Sequence, residues 1–201
     1  MDKFLENIPD KREYKETTSL KFKKDIIECF SEIGKDYTAL ELGTNHGHTT
    51  RILSFVFNKV ITMDWREDPN LKMARELNKD RDNITYIQKD LYKENWNIDS
   101  FDVAFIDANH TYEGVKSDLE NCLKYGNDEM YFIFDDYGHP MSKGPNQVVN
   151  EYLNSLDGFE RVTYIGEPEG TKLWENSGRD HALETWEGII CKYTKPQNFW
   201  S

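Results

Sequence analysis

Four side chains in two short segments carry most of the chemistry this chain can offer. Asp107 and His110 close the segment Phe101-Asp102-Val103-Ala104-Phe105-Ile106-Asp107-Ala108-Asn109-His110, and Asp135 and Asp136 end the apolar run Tyr131-Phe132-Ile133-Phe134. One aspartate after a strand-length apolar run is most often a cap or turn former. Two in succession repel each other, and a hard divalent cation that prefers oxygen ligands neutralises such a pair. An ion held there can bind a hydroxyl pair and lower the pKa of a bound oxygen. His110, with an ordinary pKa near ~6.5, has three roles open to it: general base at neutral pH, cap of the following helix, or ligand of the ion. Beyond the acid pair, Tyr137 and His139 are candidates for substrate contact, His139 being otherwise a polar turn residue.

A second constellation lies upstream. Ala39-Leu40-Glu41-Leu42 is a strand-like run, Gly43-Thr44-Asn45-His46-Gly47 a turn, and residues 47–57 a helix-like stretch. Lys59-Val60-Ile61-Thr62-Met63-Asp64 is then a second strand that ends on a carboxylate. Glycines at 43 and 47 let the backbone bend tightly and approach a ligand with no Cβ in the way, and Asp64 stands where a ribose hydroxyl pair is held in such units. The pattern is Glu-x-Gly-x-x-x-Gly, whereas a dinucleotide site prefers Gly-x-Gly-x-x-Gly. A pyrophosphate calls for the bare N–H groups of a helix start; a sulfonium amino acid carries a cationic amine and tolerates nearby carboxylates.

Glu41-Leu42-Gly43-Thr44-Asn45-His46-Gly47 resembles the first motif of class I S-adenosylmethionine-dependent methyltransferases. The resemblance spans roughly residues 20 to 195. It implies an α/β, three-layer Rossmann-like fold whose seven-stranded, mostly parallel sheet ends in an antiparallel hairpin. It also implies S-adenosylmethionine as cofactor: Glu41, Gly43, Thr44, Asn45 and Gly47 under the methionine part with Asp107 beside it, Asp64 on the ribose, and Asp90 near the adenine amino group. Asp90 is otherwise the N-cap of the residues after it. The acids further on resemble those of the macrocin-type sugar O-methyltransferases and, more distantly, catechol O-methyltransferase. Carried over position by position, that likeness makes Asp107, Asp135 and Asp136 ligands of Mg2+, with Asp107 also the group that takes the hydroxyl proton. The run Asp-Ala-Asn-His-Thr-Tyr-Glu-Gly-Val is similar to a branch of small methyltransferases that carry Asp-Gly-Asp-His-Ser-Tyr. Ala108 and Asn109 stand here for Gly and Asp, which removes one carboxylate.

The elements that must position these groups are legible as well. Leu20, Phe22, Ile26, Ile27, Phe30 and Ile33 recur at helical spacing before Gly34. Strand-length apolar segments at 38–43, 59–64, 84–88, 102–107 and 130–135 alternate with helix-like stretches at 47–57, 70–80 and 112–125, the pattern of βαβ units. A further helix is expected over 146–156, then two strands, Phe159 to Ile165 and Gly188 to Tyr193, with no helix between them. Joining them is a polar, aromatic loop of about twenty residues with Lys172, Trp174, Arg179, His181 and Trp186. Trp174 and His181 are candidate walls of an acceptor pocket, the alternative being a loop packed by its own tryptophans. Thr17, Thr18 and Ser19 either fold over the methionine carboxylate or cap the first helix. Residues 1–16 form a charged N-terminal extension, and 17–201 a single methyltransferase domain.

The chain has 201 residues and a formal net charge of −12, which opposes the basic footprint of nucleic-acid binding. Cys29, Cys122 and Cys191 are odd in number and lack Cys-x-x-Cys spacing, so neither a disulfide framework nor a zinc site is indicated. No apolar run approaches the ~20 residues of a membrane span. The expectation is a cytoplasmic protein with no membrane or nucleic-acid partner, a homo-oligomer being left open. Its expected activity is O-methylation of a small hydroxylated acceptor, sugar or phenol and catechol in type, with divalent-metal assistance. The alternatives are a metal-independent N- or O-methyltransferase using His110 as base, and a non-catalytic methyltransferase-like binding module.

Overall fold

The computed structural model describes residues 4–6, 8–11, 13–14, 17–93, 95–139, 142–167 and 186–197. Trp174 and His181 lie outside the described residues. The first helix, α1 (Leu20–Phe30), starts where Ser19 accepts a hydrogen bond from the Phe22 amide at 3.0 Å, and it buries Phe22, Ile26, Ile27 and Phe30 along one stripe. It stops at Phe30, short of Ile33. Five strands follow in alternation with helices: β1 (Thr38–Leu42), β2 (Lys59–Asp64), β3 (Ile84–Gln88), β4 (Val103–Ile106) and β5 (Glu129–Phe134). The helices between and after them are α2 (His48–Val56), α3 (Lys72–Leu77), α4 (Tyr112–Tyr125) and α5 (Lys143–Ser155). An irregular turn at Glu67–Leu71 takes the start of the helix expected over 70–80, and α5 begins three residues earlier than its periodicity indicates.

The sheet order is β3-β2-β1-β4-β5-β7-β6, in which β6 (Phe159–Ile165) and β7 (Gly188–Thr194) are antiparallel to each other and β7 is antiparallel to β5. All pairings among β1 to β5 are parallel, and the central strands are apolar on both faces because helices cover both. One core lies on the α4 and α5 side, with Leu42, Met63, Trp96, Phe101, Phe132 and Val148. The other, with Phe22, Phe30, Leu53, Phe57, Phe105 and Ile190, lies on the α1 and α2 side. Ile8 joins this second core at 6% exposure, so part of the charged N-terminal stretch is packed against the domain.

Register decides where the chemistry goes. Leu42 pairs with Met63 on one side and Ile106 on the other, and Ile106 pairs with Phe134. The residues that follow these partners, Gly43, Asp64, Asp107 and Asp135, therefore leave the sheet at one carboxyl edge. That edge includes the point between β1 and β4 where the strand order reverses, the usual ligand crevice of an open α/β sheet.

Candidate active site

The β1–α2 turn is held by backbone geometry that only glycine supplies. Gly43 has φ +95°, and a Cβ on it would meet the Asp107 carbonyl oxygen at 2.3 Å; Gly47, at φ +81°, would meet Ala74 Cβ at 2.7 Å. Asp64 ties the turn to the end of β2. Its Oδ2 accepts from the Asn45 amide at 3.0 Å and Asn70 Nδ2 at 3.2 Å, and its Oδ1 accepts from the Arg66 amide at 2.9 Å. Thr44 and Thr62 share a hydroxyl hydrogen bond of 2.6 Å. Glu41 stands apart from the cofactor contacts that its motif implies. It is fully buried beneath the turn, where its Oε2 accepts from the Thr50 and Thr62 hydroxyls, each at 2.5 Å. Burial pushes its carboxyl up to about 8 against the pull of those two hydroxyls, so the group keeps its proton through the neutral range.

Above the turn opens a cleft of about 830 Å3, lined by Thr44, Asn45, Asp64, Asp90, Asp107, His110, Asp135, Asp136 and His139 among others. Asp90 accepts from the Tyr92 amide at 3.1 Å and pairs with Lys93 at 2.9 Å, and both Asp90 and Tyr92 face the cleft. Thr17 lines it too, while Ser19 caps α1, so the two readings of that segment fall on different residues. Tyr137 does not reach the cleft. Its ring is 1% exposed and packs against Tyr164, whose other neighbour, Trp186, stacks on it at 9°.

At the ends of β4 and β5 the carboxylates are interleaved with cations. His110 donates from Nδ1 toward Asp136 Oδ2 at 2.7 Å, and its Nε2 lies 3.1 Å from Asp107 Oδ1. Burial alone would lower the imidazole pKa, but the two carboxylates outweigh it and raise the value to about 11. A ring bonded through both nitrogens to acids is favoured as a cation, and in that form it has no lone pair with which to act as a general base. Lys11 Nζ reaches in from the N-terminal segment to Asp136 Oδ1 at 3.2 Å and to Glu187 Oε1 at 3.8 Å. Asp136, with φ 52°, is held below the usual carboxylate range by His110 and Lys11, although its burial works the other way. Burial, with repulsion from Asp107, drives Asp135 well above that range, and its Oδ1 is buried without a hydrogen-bond partner among the described residues.

This donor set does not fit Mg2+. Asp107, Asp135 and Asp136 do gather at one edge. Among the described residues, however, no three His, Cys, Asp or Glu side chains are arranged to hold an ion. His110 and Lys11 stand between the acids and carry the positive charge that the ion was expected to bring. No pattern along the chain pointed to Lys11, one cation in a charged run, or to Glu187. Glu187 is fully buried and accepts from the Ser19 amide at 2.8 Å and from the Ser19 hydroxyl. Its pairing joins positions 168 apart, which no local pattern encodes.

Comparison with known proteins bears on the fold and on the span from β1 to the acid pair. A methyltransferase-domain family matches residues 40–137, the span from β1 to just past the acid pair. No curated protein matched the chain. Among solved structures it is similar to the O-methyltransferase TomG from Streptomyces achromogenes, involved in tomaymycin synthesis and solved with S-adenosylmethionine. The TM-score is 0.66 at 14% identity, over 98% of this chain and 91% of that one. It is also similar to the N-methyltransferase NodS from Bradyrhizobium japonicum (TM-score 0.59, 13% identity, 88% and 97% covered). An rRNA methylase from Streptococcus thermophilus gives a TM-score of 0.57 at 14% identity, with 86% and 95% covered. Relatives that methylate through different atoms share this fold, so the fold does not select the acceptor. Among the described residues no helix is long and apolar enough to cross a membrane. The strand order, the glycine turn joined to Asp64 and the match to a methyltransferase-domain family over residues 40–137 give this chain the Rossmann-like fold of the class I methyltransferases.

Proposed function

We propose that the enzyme transfers the sulfonium methyl group of S-adenosylmethionine to an oxygen of a small hydroxylated acceptor, of the phenol or sugar class. The observation that carries this reading is the position of Asp107. Its backbone abuts Gly43 of the turn, one carboxylate oxygen is engaged by His110, and the residue lines the cleft. In this reading Gly43, Thr44, Asn45 and Gly47 border the methionine part, Asp64 accepts from the ribose, and Asp90 with Tyr92 borders the adenine. Glu41 braces the turn from below.

The acceptor oxygen attacks the methyl carbon in line as the C–S bond breaks, the sulfonium becoming a neutral thioether. The oxygen's proton passes to Asp107. Alignment is the main contribution of such a site, since two reactants held in near-attack geometry avoid most of the entropic cost of meeting. The His110 imidazolium fixes Asp107 and Asp136 in place and acts as a charged positioning group. The overall charge of −12 favours a small molecule over RNA as acceptor.

Titration of S-adenosylhomocysteine into the protein by calorimetry tests the cofactor half, with micromolar binding expected. Absence of binding removes the methyltransferase reading as an activity. Methyl transfer from labelled cofactor to panels of phenols, catechols, sugars and RNA then tests the acceptor half. Labelling confined to RNA or to amines overturns the O-methylation of a small molecule.

A further inference from the structure

We propose that Lys11 is the resident cation of the acceptor site: its ammonium occupies the place among Asp135, Asp136 and Glu187 where the sequence alone calls for a divalent ion, and it presents an N–H to the acceptor oxygen. The inference rests on the proposed methyl transfer for its catalytic meaning, but not for its binding chemistry.

Three observations converge on it. First, the position of Lys11 is built. Ile8 is buried in the α1 and α2 core, Asp10 Oδ2 accepts from the Leu20 amide at 3.3 Å, and the Tyr14 hydroxyl bonds His46 in the glycine turn. Fixed on both sides, the segment delivers Lys11 into the cleft, where its side chain is 17% exposed.

Second, among the described residues Lys11 is the lysine in ion-pair contact with these acids; Lys23 also acts on Glu187 and Asp135, but its ammonium bonds the Pro9 and Thr18 carbonyls. His110 engages Asp107 and Asp136 from α4's approach, whereas Glu187 and Asp136 Oδ1 meet Lys11. A doubly charged ion brought to the same place would face the ammonium at contact distance, a repulsion that a half-buried site screens poorly.

Third, donors and acceptors are left over. An ammonium has three donors, and among the described residues Lys11 hydrogen-bonds with one of them, to Asp136. Asp135 Oδ1 is a buried acceptor with no hydrogen-bond partner among the described residues. The attacking oxygen, its proton directed to Asp107, would accept from the lysine, and a second hydroxyl of the acceptor would donate to Asp135. The oxygen that attacks the methyl group would then sit against a fixed positive charge, the kind of preorganised contact that stabilises charge as it develops.

The test is a titration of MgCl2 and of MnCl2 into the wild type and the Lys11→Ala, Lys11→Gln and Lys11→Arg variants, followed by thermal unfolding and calorimetry. The expected result is no saturable response in the wild type or Lys11→Arg, and a metal-dependent rise in Tm in Lys11→Ala and Lys11→Gln, which lose the charge. Lys11→Gln keeps a polar side chain only one atom shorter than lysine, so it covers the case in which Lys11→Ala does not fold. A saturable rise in the wild type equal to that of the neutral variants overturns the proposal, as does a neutral variant that folds and stays unresponsive. S-adenosylhomocysteine binding measured on the same samples separates the two readings. Its loss from the wild type refutes the methyltransferase activity, whatever the metal titration shows.

Discussion

The β1–α2 turn and the ends of β4 and β5 border the same cleft, yet they are assembled from different kinds of contact. The turn is fastened by hydrogen bonds, without ion pairs, between residues close in sequence. Thr50 and Thr62 hold Glu41 over separations of 9 and 21 residues, and Asn45 meets Asp64 across 19. The opposite wall is held by charge across long separations, with Lys11 reaching Asp136 over 125 residues. The turn wall is thus one supersecondary unit that carries its own geometry. The acidic wall is stable only as a balanced set, because each buried acid left without its cation would bear the full cost of desolvation. A wall of the first kind suits a ligand shared by a whole family. One of the second kind can be altered by changing a single distant cation.

The contrast can be broken at its strongest point by Gly43→Ala. The new Cβ would strike the Asp107 carbonyl in a left-handed backbone position, and strain plus overpacking should cost about 3 kcal/mol of stability by denaturant unfolding. A loss under about 1 kcal/mol would mean that the two walls can separate at little cost, against their close packing.

Next in size is a pair of substitutions that should diverge. Asp64→Ala removes the carboxylate that ties the turn and, in the proposed reading, the ribose. Affinity for S-adenosylhomocysteine should fall about 10- to 100-fold, the loss of a charged hydrogen bond at roughly 1.5–3 kcal/mol. Asp136→Asn should leave that affinity unchanged while lowering methyl transfer. Equal losses from both would show that the two walls do not divide the ligands between them.

The smallest effect sharpens the comparison through pH. Glu41 titrates at about 8 in the folded protein against an ordinary value of 4.5, so the folded state binds its proton more tightly than the unfolded chain does. Its contribution is complete below 4.5 and is lost as pH rises through about 8. Glu41→Gln carries no such proton, so its Tm should fall less than that of the wild type between those pH values. Parallel Tm profiles would show that the buried carboxyl is ionised in place.

Much of the fold was legible without coordinates. The apolar runs from 38 to 135 became β1 to β5 with ends within one residue or so, since strands buried on both faces leave an uninterrupted apolar signature. Boundaries slipped where local chemistry overrode periodicity, as at the irregular turn Glu67–Leu71 and the early start of α5. The candidate site was legible as a list of residues: Gly43, Asp64, Asp107, Asp135 and Asp136 all reach one edge because register carries neighbouring strand ends together. Their relations were not. A run such as Asp135-Asp136 states that negative charge must be balanced; it does not state by what.

By itself, then, the sequence determined the alternating sheet, the glycine turn, the carboxylate at the end of β2 and the gathering of acids past β4 and β5. These depend on residue type and short spacing, which are written along the chain. Only the tertiary structure decided that Glu41 lies below the turn, that Tyr137 belongs to the core, that His110 is held as a cation, and that Lys11 and Glu187 complete the acidic wall. Each of those outcomes turns on a distance across the folded chain and on the burial that gives that distance its energy, and neither exists until the chain has folded.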